Sequence, residues 1–205
     1  MHIPDGYLDP VSCTITYLLA LVFAFLAVKR AKLEGEERKH LLPVLAAAIF
    51  VAQMLNWPLP GGTSLHFLGA ALAGILLGPW LGFLTMTLVL LVQTLVFHDG
   101  GITTLGANLL NMAVVAVLTG YYVYKALPER FGAARPFLAG WLSVALAGLA
   151  CGIELGLSAQ FLYGLAVTVP VMAGWHAVLG VIEGAATAAV YSYLRGRAPL
   201  LTGSR

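Results

Sequence analysis

The stretch VSCTITYLLALVFAFLAVKR, residues 11–30, decides the fold class. Val11 to Val28 carries no charge, and Lys29-Arg30 closes it. That is close to the about 20 apolar residues that cross a hydrocarbon core. Working outward, the same grammar repeats along the chain. Of 205 residues, 60% are hydrophobic and 10% charged, against about 25% charged in ordinary soluble domains. The mean hydropathy is +0.90. A soluble domain of this size cannot hide so much apolar surface, which excludes a soluble enzyme and a nucleic-acid binder. The chain has room for membrane spans and little else. It reads as a single transmembrane domain over residues 1–205, with a cytoplasmic tail at 195–205.

Apolar runs between breakers predict an all-α integral membrane protein with about seven spans. They cover Val11–Val28, Leu41–Leu55, His66–Leu77, Leu81–Phe97, Thr104–Tyr124, Phe137–Leu157 and Val167–Leu194. Gly78-Pro79 stops the third, and Pro170 is expected to divide the last. Lys29 to Lys39, Lys125 to Arg135, and Arg195 to Arg205 then fall on one side, and they contain all 11 Lys and Arg residues. Basic residues mark the cytoplasmic side, so the N-terminus is expected outside and the C-terminus inside a cytoplasmic (inner) membrane. Cys13 and Cys151 show no paired spacing and read as small packing residues.

With that topology the outer face holds His2, Asp5, Asp9, His66, His98 and Asp99 without a basic side chain, a surface that attracts cations. Met1-His2-Ile3-Pro4-Asp5-Gly6 lacks the positive start of a secretory signal and is expected to persist as an ordered tail inserted into the bundle. A histidine at position two offers a metal three nitrogens: the Met1 amine, the His2 backbone nitrogen and His2 Nδ1. The first two close a five-membered ring and the last two a six-membered one, in one plane. Square-planar nitrogen sites favour Ni²⁺ or Cu²⁺. The candidate fourth ligand is His66, in the Pro/Gly-rich Trp57-Pro58-Leu59-Pro60-Gly61-Gly62-Thr63-Ser64-Leu65-His66, where backbone can fold close to a ligand.

These residues resemble the CbiM/NikM family, the substrate-binding membrane subunits of energy-coupling-factor transporters for cobalt and nickel. The resemblance rests on Met1 to Gly6, on Gln53 to Asn56 and Gly61 to His66 running on to Leu77-Gly78-Pro79-Trp80, and on His98-Asp99-Gly100-Gly101-Ile102-Thr103-Thr104-Leu105-Gly106-Ala107-Asn108. It implies Ni²⁺ or Co²⁺ as cargo, no organic cofactor, and Met1, His2 and His66 as ligands. Leu65 departs from the glycine common in nickel-type relatives. The resemblance also implies partners: a T- or Q-type membrane coupling subunit, a cytoplasmic A- or O-type ATPase pair, and a separate small N-type membrane subunit. An alanine-rich face on the first span, here Ala20 and Ala24, would meet the coupling subunit.

Around the ligands, Asp99 or Asn108 is expected to take a histidine's second N–H, His98 to line the access route, and Asn56 to tether the loop. His176 and Glu183, seven residues apart on one helix face, are expected to pair and lock helices, with Glu154 nearby. Small residues at four-residue spacing, such as Gly148, Gly152 and Gly156, or Gly180 and Gly184, are expected at helix contacts. No GxxxxGK[ST] or hydrolase motif is present, so energy for transport must come from another chain. The competing readings are a gradient-driven transporter or channel for a divalent cation, and a membrane metalloenzyme built on His176, Glu183 and Glu154.

Overall fold

The computed structural model describes residues 1–32 and 34–197, without the Glu37 side chain. The expected cytoplasmic tail therefore lies outside the described residues from 198 onward. The described chain is helical apart from its tail, its loops and one small hairpin. α1 spans Pro10–Ala31 and α2 spans Glu36–Gln53. Strands β1 (Asn56–Pro58) and β2 (Ser64–His66) follow, and then α3 (Ala70–Val96). α4 (Leu105–Leu109) runs through a π-helical turn at Leu110–Val115 into α5 (Ala116–Ala126). α6 is Ala134–Leu157 and α7 is Leu165–Arg197. By length and composition, five stretches can cross a membrane: α1, α3, Leu105–Ala126, α6 and α7.

Asp9 caps α1, its carboxylate accepting from Val11 N–H and Ser12 N–H at 3.0 Å each, while Pro10 takes a first-turn position where its missing N–H costs nothing. The breaker at Gly78-Pro79 reverses the chain. Gly78 adopts φ +79 and ψ 174, a conformation only glycine takes readily. A Cβ on Gly82 would sit 3.1 Å from Gly74 N. Eight residues of continuous helix would hold those positions about 12 Å apart, so the two halves of α3 run back against each other. The third expected span starts later than His66, which lies in β2, because Gly69 caps the helix. Pro170 does not divide α7. It sits in the second turn and removes one ladder bond from a helix that α6 supports along its length.

The small-residue positions do lie at helix contacts. A Cβ on Gly152 would meet Thr168 O at 2.9 Å, and one on Gly184 would meet Phe137 O at 2.5 Å, so α6 and α7 approach backbone to backbone. The same rule corrects the reading of Ala20 and Ala24. Ala20 is buried and Ala24 is partly buried against the core. They let α1 close on the bundle, and the surface α1 leaves open is Leu18, Leu21, Val22 and Phe25 instead.

The bundle has two unlike ends. Ala31, Leu41, Leu77, Leu81 and Leu194 pack together at one, next to the basic connection after α1 and the end of α7. The Met1 tail, the β1–β2 hairpin, and the loops after α3 and α6 meet at the other.

Candidate metal centre

The first three residues are not a loose tail. Met1 and Ile3 are 0% exposed and His2 is 3% exposed. Asn108 Oδ1 accepts from Ile3 N–H at 2.8 Å, and its Nδ2 donates back to Ile3 O at 3.1 Å. Ile3 O also accepts from Gly101 N–H at 2.9 Å and from Thr104 Oγ1 at 2.5 Å. Farther out, Asp5 accepts from Ile102 N–H, Thr103 N–H and the Thr103 hydroxyl, bonds that hold its carboxyl below the usual range. Cys151 Sγ donates to Met1 O at 3.7 Å. Both cysteines are free, as expected.

The Met1 amine faces Ser64 at the start of β2, donating to its carbonyl oxygen and, at 2.5 Å, to its hydroxyl. β2 pairs antiparallel with β1, Asn56 opposite His66, and so delivers His66 beside His2. The two imidazoles stack with centroids 4.4 Å apart and planes 19° from parallel. Leu65 packs against the core rather than into this contact.

The hydrogen bonds decide which ring nitrogens stay open. His2 Nε2 lies 3.0 Å from Gln93 Oε1, an acceptor only, so Nε2 holds the proton and Nδ1 keeps its lone pair. His66 Nδ1 donates to Phe67 O at 2.7 Å, leaving the lone pair on Nε2. His2 Nδ1 and His66 Nε2 are both buried without a hydrogen-bond partner. Each orphan costs about 1–3 kcal/mol, which an ion between them would relieve. His2 Nδ1 also stands 3.4 Å from Asp99 Oδ1, two electron-rich atoms whose contact is favourable when a cation shares the space.

Desolvation leaves these groups neutral. Burial lowers the Met1 amine to about 5 and the His2 imidazole to about 3, and it holds His66 well below its ordinary value. At neutral pH the nitrogens therefore present lone pairs rather than protons, as metal ligation requires. Burial acts on Asp99 in the opposite sense and raises its carboxyl, while the neighbouring amine and Asn56 pull it down.

Asp99 does not take a histidine's second N–H, which goes to Gln93 for His2 and to Phe67 O for His66; it stands by His2 Nδ1, with the Asn56 side chain bonded to it. Asn108 is at the centre but clamps the Ile3 backbone instead of a histidine N–H. His98 is exposed, at φ +55. The expected His176–Glu183 pair does not form. His176 Nδ1 donates to Met172 O at 2.7 Å along its own helix, while Glu183 reaches the Leu68 and Gly69 N–H groups. Glu154 instead accepts from Asn111 Nδ2 at 2.6 Å, within the π-helical turn. Gln93 was missed. Its signal was a lone amide inside an otherwise apolar run, which costs energy in a membrane unless it has a task. Gln93→Leu is expected to release the His2 tautomer and weaken metal binding about 10- to 100-fold, measured by competition with a chelator.

Residues 2–201 match the CbiM family, described as the cobalt uptake substrate-specific transmembrane region. The chain is 56% identical over 200 residues to a putative fused nickel transport protein NikMN of Archaeoglobus fulgidus, covering 97% of this chain and 67% of that one. It is 34% identical over 216 residues to a cobalt transport protein CbiM of Sorangium cellulosum, covering 97% of this chain and 93% of that one. A solved structure described as a truncated transition metal transporter superposes with a TM-score of 0.90 at 34% identity, covering 96% of this chain and 99% of the other. These relatives are transport proteins and not enzymes. The chain, with its helical bundle and its buried nitrogen-rich tail, belongs to the CbiM family of metal-transport membrane proteins.

Proposed function

We propose that this chain is the substrate-binding membrane subunit of an ATP-driven importer of the energy-coupling-factor type, taking up nickel in preference to cobalt. One observation carries the reading. Two buried imidazole nitrogens with lone pairs and no partner stand beside a buried, neutral amine. The ligands are the Met1 amine, the His2 backbone nitrogen, His2 Nδ1 and His66 Nε2. An all-nitrogen square with one deprotonated amide suits Ni²⁺, whose ligand field repays loss of the amide proton, better than Co²⁺. The nickel- and cobalt-transport names of the relatives fit this choice of cargo.

The seven-span topology, N-terminus outside, supports capture at the outer face of a cytoplasmic membrane. That topology is itself part of the proposal, and the reversal at Gly78 and the basic connections packed at the end remote from His2 support it. A site that takes several bonds from one dipeptide releases slowly, so delivery inside needs work. The coupling subunit, its paired ATPases and a small N-type subunit would supply or assist that work.

The test is metal analysis and chelator competition on purified protein whose intact N-terminus is verified by mass. The wild type should hold one nickel per chain. His66→Ala removes one of four donors and should weaken binding by about a hundredfold, more than the loss of an outer contact. Equal affinity in His66→Ala would overturn the ligand set. Uptake into vesicles by this chain alone, without an ATPase, would overturn the ATP-driven reading.

A further inference from the structure

Glu183 is the buried acid that the proposed binding site does not use. It sits on α7, 3% exposed, and among the described residues no Lys or Arg pairs with it. Both carboxylate oxygens are instead engaged by consecutive backbone amides. Leu68 N–H donates to Oε2 at 3.1 Å and Gly69 N–H donates to Oε1 at 2.6 Å. Gly69 is left-handed, φ +68, and caps α3. The left-handed residue turns two successive N–H groups to one side, a nest for an anion at the positive end of a helix. A side chain at Gly69 would also strike Ile49 Cγ1, which lies 2.7 Å from the Cβ position, so the turn has little room to relax. On its other side, Leu68 O accepts from Gln53 Nε2 at 2.7 Å.

This cradle lies two and three residues after His66, and Phe67 O between them receives the His66 Nδ1 proton. The ring that offers Nε2 to the metal is thus oriented by a backbone segment whose firm charged anchor is on the last helix, 114 residues away. A carboxylate with two N–H donors is among the stronger hydrogen-bond arrangements, and inside a bundle no water replaces it.

We propose that Glu183 is a positioning residue that mounts the His66 ligand on α7. The His66 side of the site is thereby held from α7, while the Met1–His2 side is held by the tail that Asn108 clamps. The inference deepens the proposed site, since it rests on His66 being a ligand. It assigns to α7 the support of the His66 side of that site.

The test uses the full chain in detergent, with nickel affinity from chelator competition and the visible absorption of the bound ion. The variants are Glu183→Gln, Glu183→Ala, His66→Ala and the double variant Glu183→Gln with His66→Ala. Glu183→Gln keeps one acceptor and turns an amide group toward the second N–H, so it should weaken nickel binding about 10-fold, with Glu183→Ala weaker still. The absorption band in both should move toward that of His66→Ala. In the double variant the added effect of Glu183→Gln should vanish. If Glu183→Ala fails to elute as folded protein, Glu183→Gln carries the comparison. Wild-type affinity and band in Glu183→Gln, or an effect that simply adds to His66→Ala, overturns the proposal. Unchanged binding in His66→Ala would instead refute the ligand reading, a separate outcome.

Discussion

A chain carrying one extra residue ahead of Met1 is expected to lose tight nickel binding, by more than about a hundredfold, since removing even an outer contact of a metal site costs 10- to 100-fold. The extra residue converts the Met1 amine to an amide, whose lone pair is delocalised and far less available for coordination. The new amine can close a ring only with the Met1 nitrogen, so an extended chain that binds nickel must use the Met1 and His2 amides together and give up the docked arrangement with His66. The tertiary structure adds a second obstacle. Met1 is fully buried and its amine is in contact with Ser64, leaving no route for a preceding residue to leave the pocket without undocking the tail. His2→Ala should match this loss, because it removes Nδ1 and the Gln93 contact together. His40→Ala provides the control. That ring is exposed on α2 near the opposite end, and its loss should leave affinity unchanged. Chelator competition on mass-verified protein reads all three, and binding in the extended chain that is undiminished and still lost on His66→Ala would refute the chelate.

Gly101→Ala should abolish tight binding as thoroughly without touching a ligand. A Cβ on Gly101 would overlap the Asp5 backbone nitrogen and carboxylate. The carboxylate can swing away, but the backbone nitrogen cannot unless the tail lifts. Energetics make the tail sensitive to such a push. Burying the Met1 and Ile3 side chains contributes about 1.5–3 kcal/mol each, while ordering each backbone residue costs about 1–2 kcal/mol. Burial and ordering therefore nearly cancel over Met1 to Ile3. The Ile3 hydrogen bonds to Gly101, Thr104 and Asn108 then tip the balance toward docking. The expected signature is lost nickel binding together with faster amide exchange or proteolysis at residues 1–9. Gly174→Ala, at a position where nothing lies within 4 Å of the added carbon, should change neither. Protected amides and tight binding in Gly101→Ala would show that the tail docks in another way.

How much of this was legible beforehand differs by element. The apolar runs located every long helix, because a bilayer demands continuous apolar length and basic residues mark the ends. Gly78-Pro79 was readable as a break, since no other dipeptide so firmly refuses helix, although the reversal itself appears only in the contact of Gly82 with Gly74. Bond connectivity and loop chemistry singled out Met1, His2 and His66 as candidates, and the fold brings these three together, buried, with the two imidazoles stacked. Ala20 was misread because small residues at four-residue spacing serve an inner contact as well as an outer one, and spacing alone does not say which. His176 and Glu183 were misread together for a related reason. Sharing a helix face makes two groups neighbours, but each found a nearer backbone partner.

By itself the sequence determined that this is a helical membrane protein with its positive charge confined to a few connections, and it pointed to the first two residues as a candidate chelate. Those properties follow from local composition and covalent connectivity. Only the tertiary structure decided which imidazole nitrogens stay open, through Gln93 Oε1 for His2 and Phe67 O for His66. It also placed the Glu183 carboxylate under the segment that follows His66. The His2 choice depends on an acceptor 91 residues away and the carboxylate on a helix 115 residues away, while the Phe67 carbonyl that serves His66 is its own neighbour, aimed by the turn that follows the hairpin.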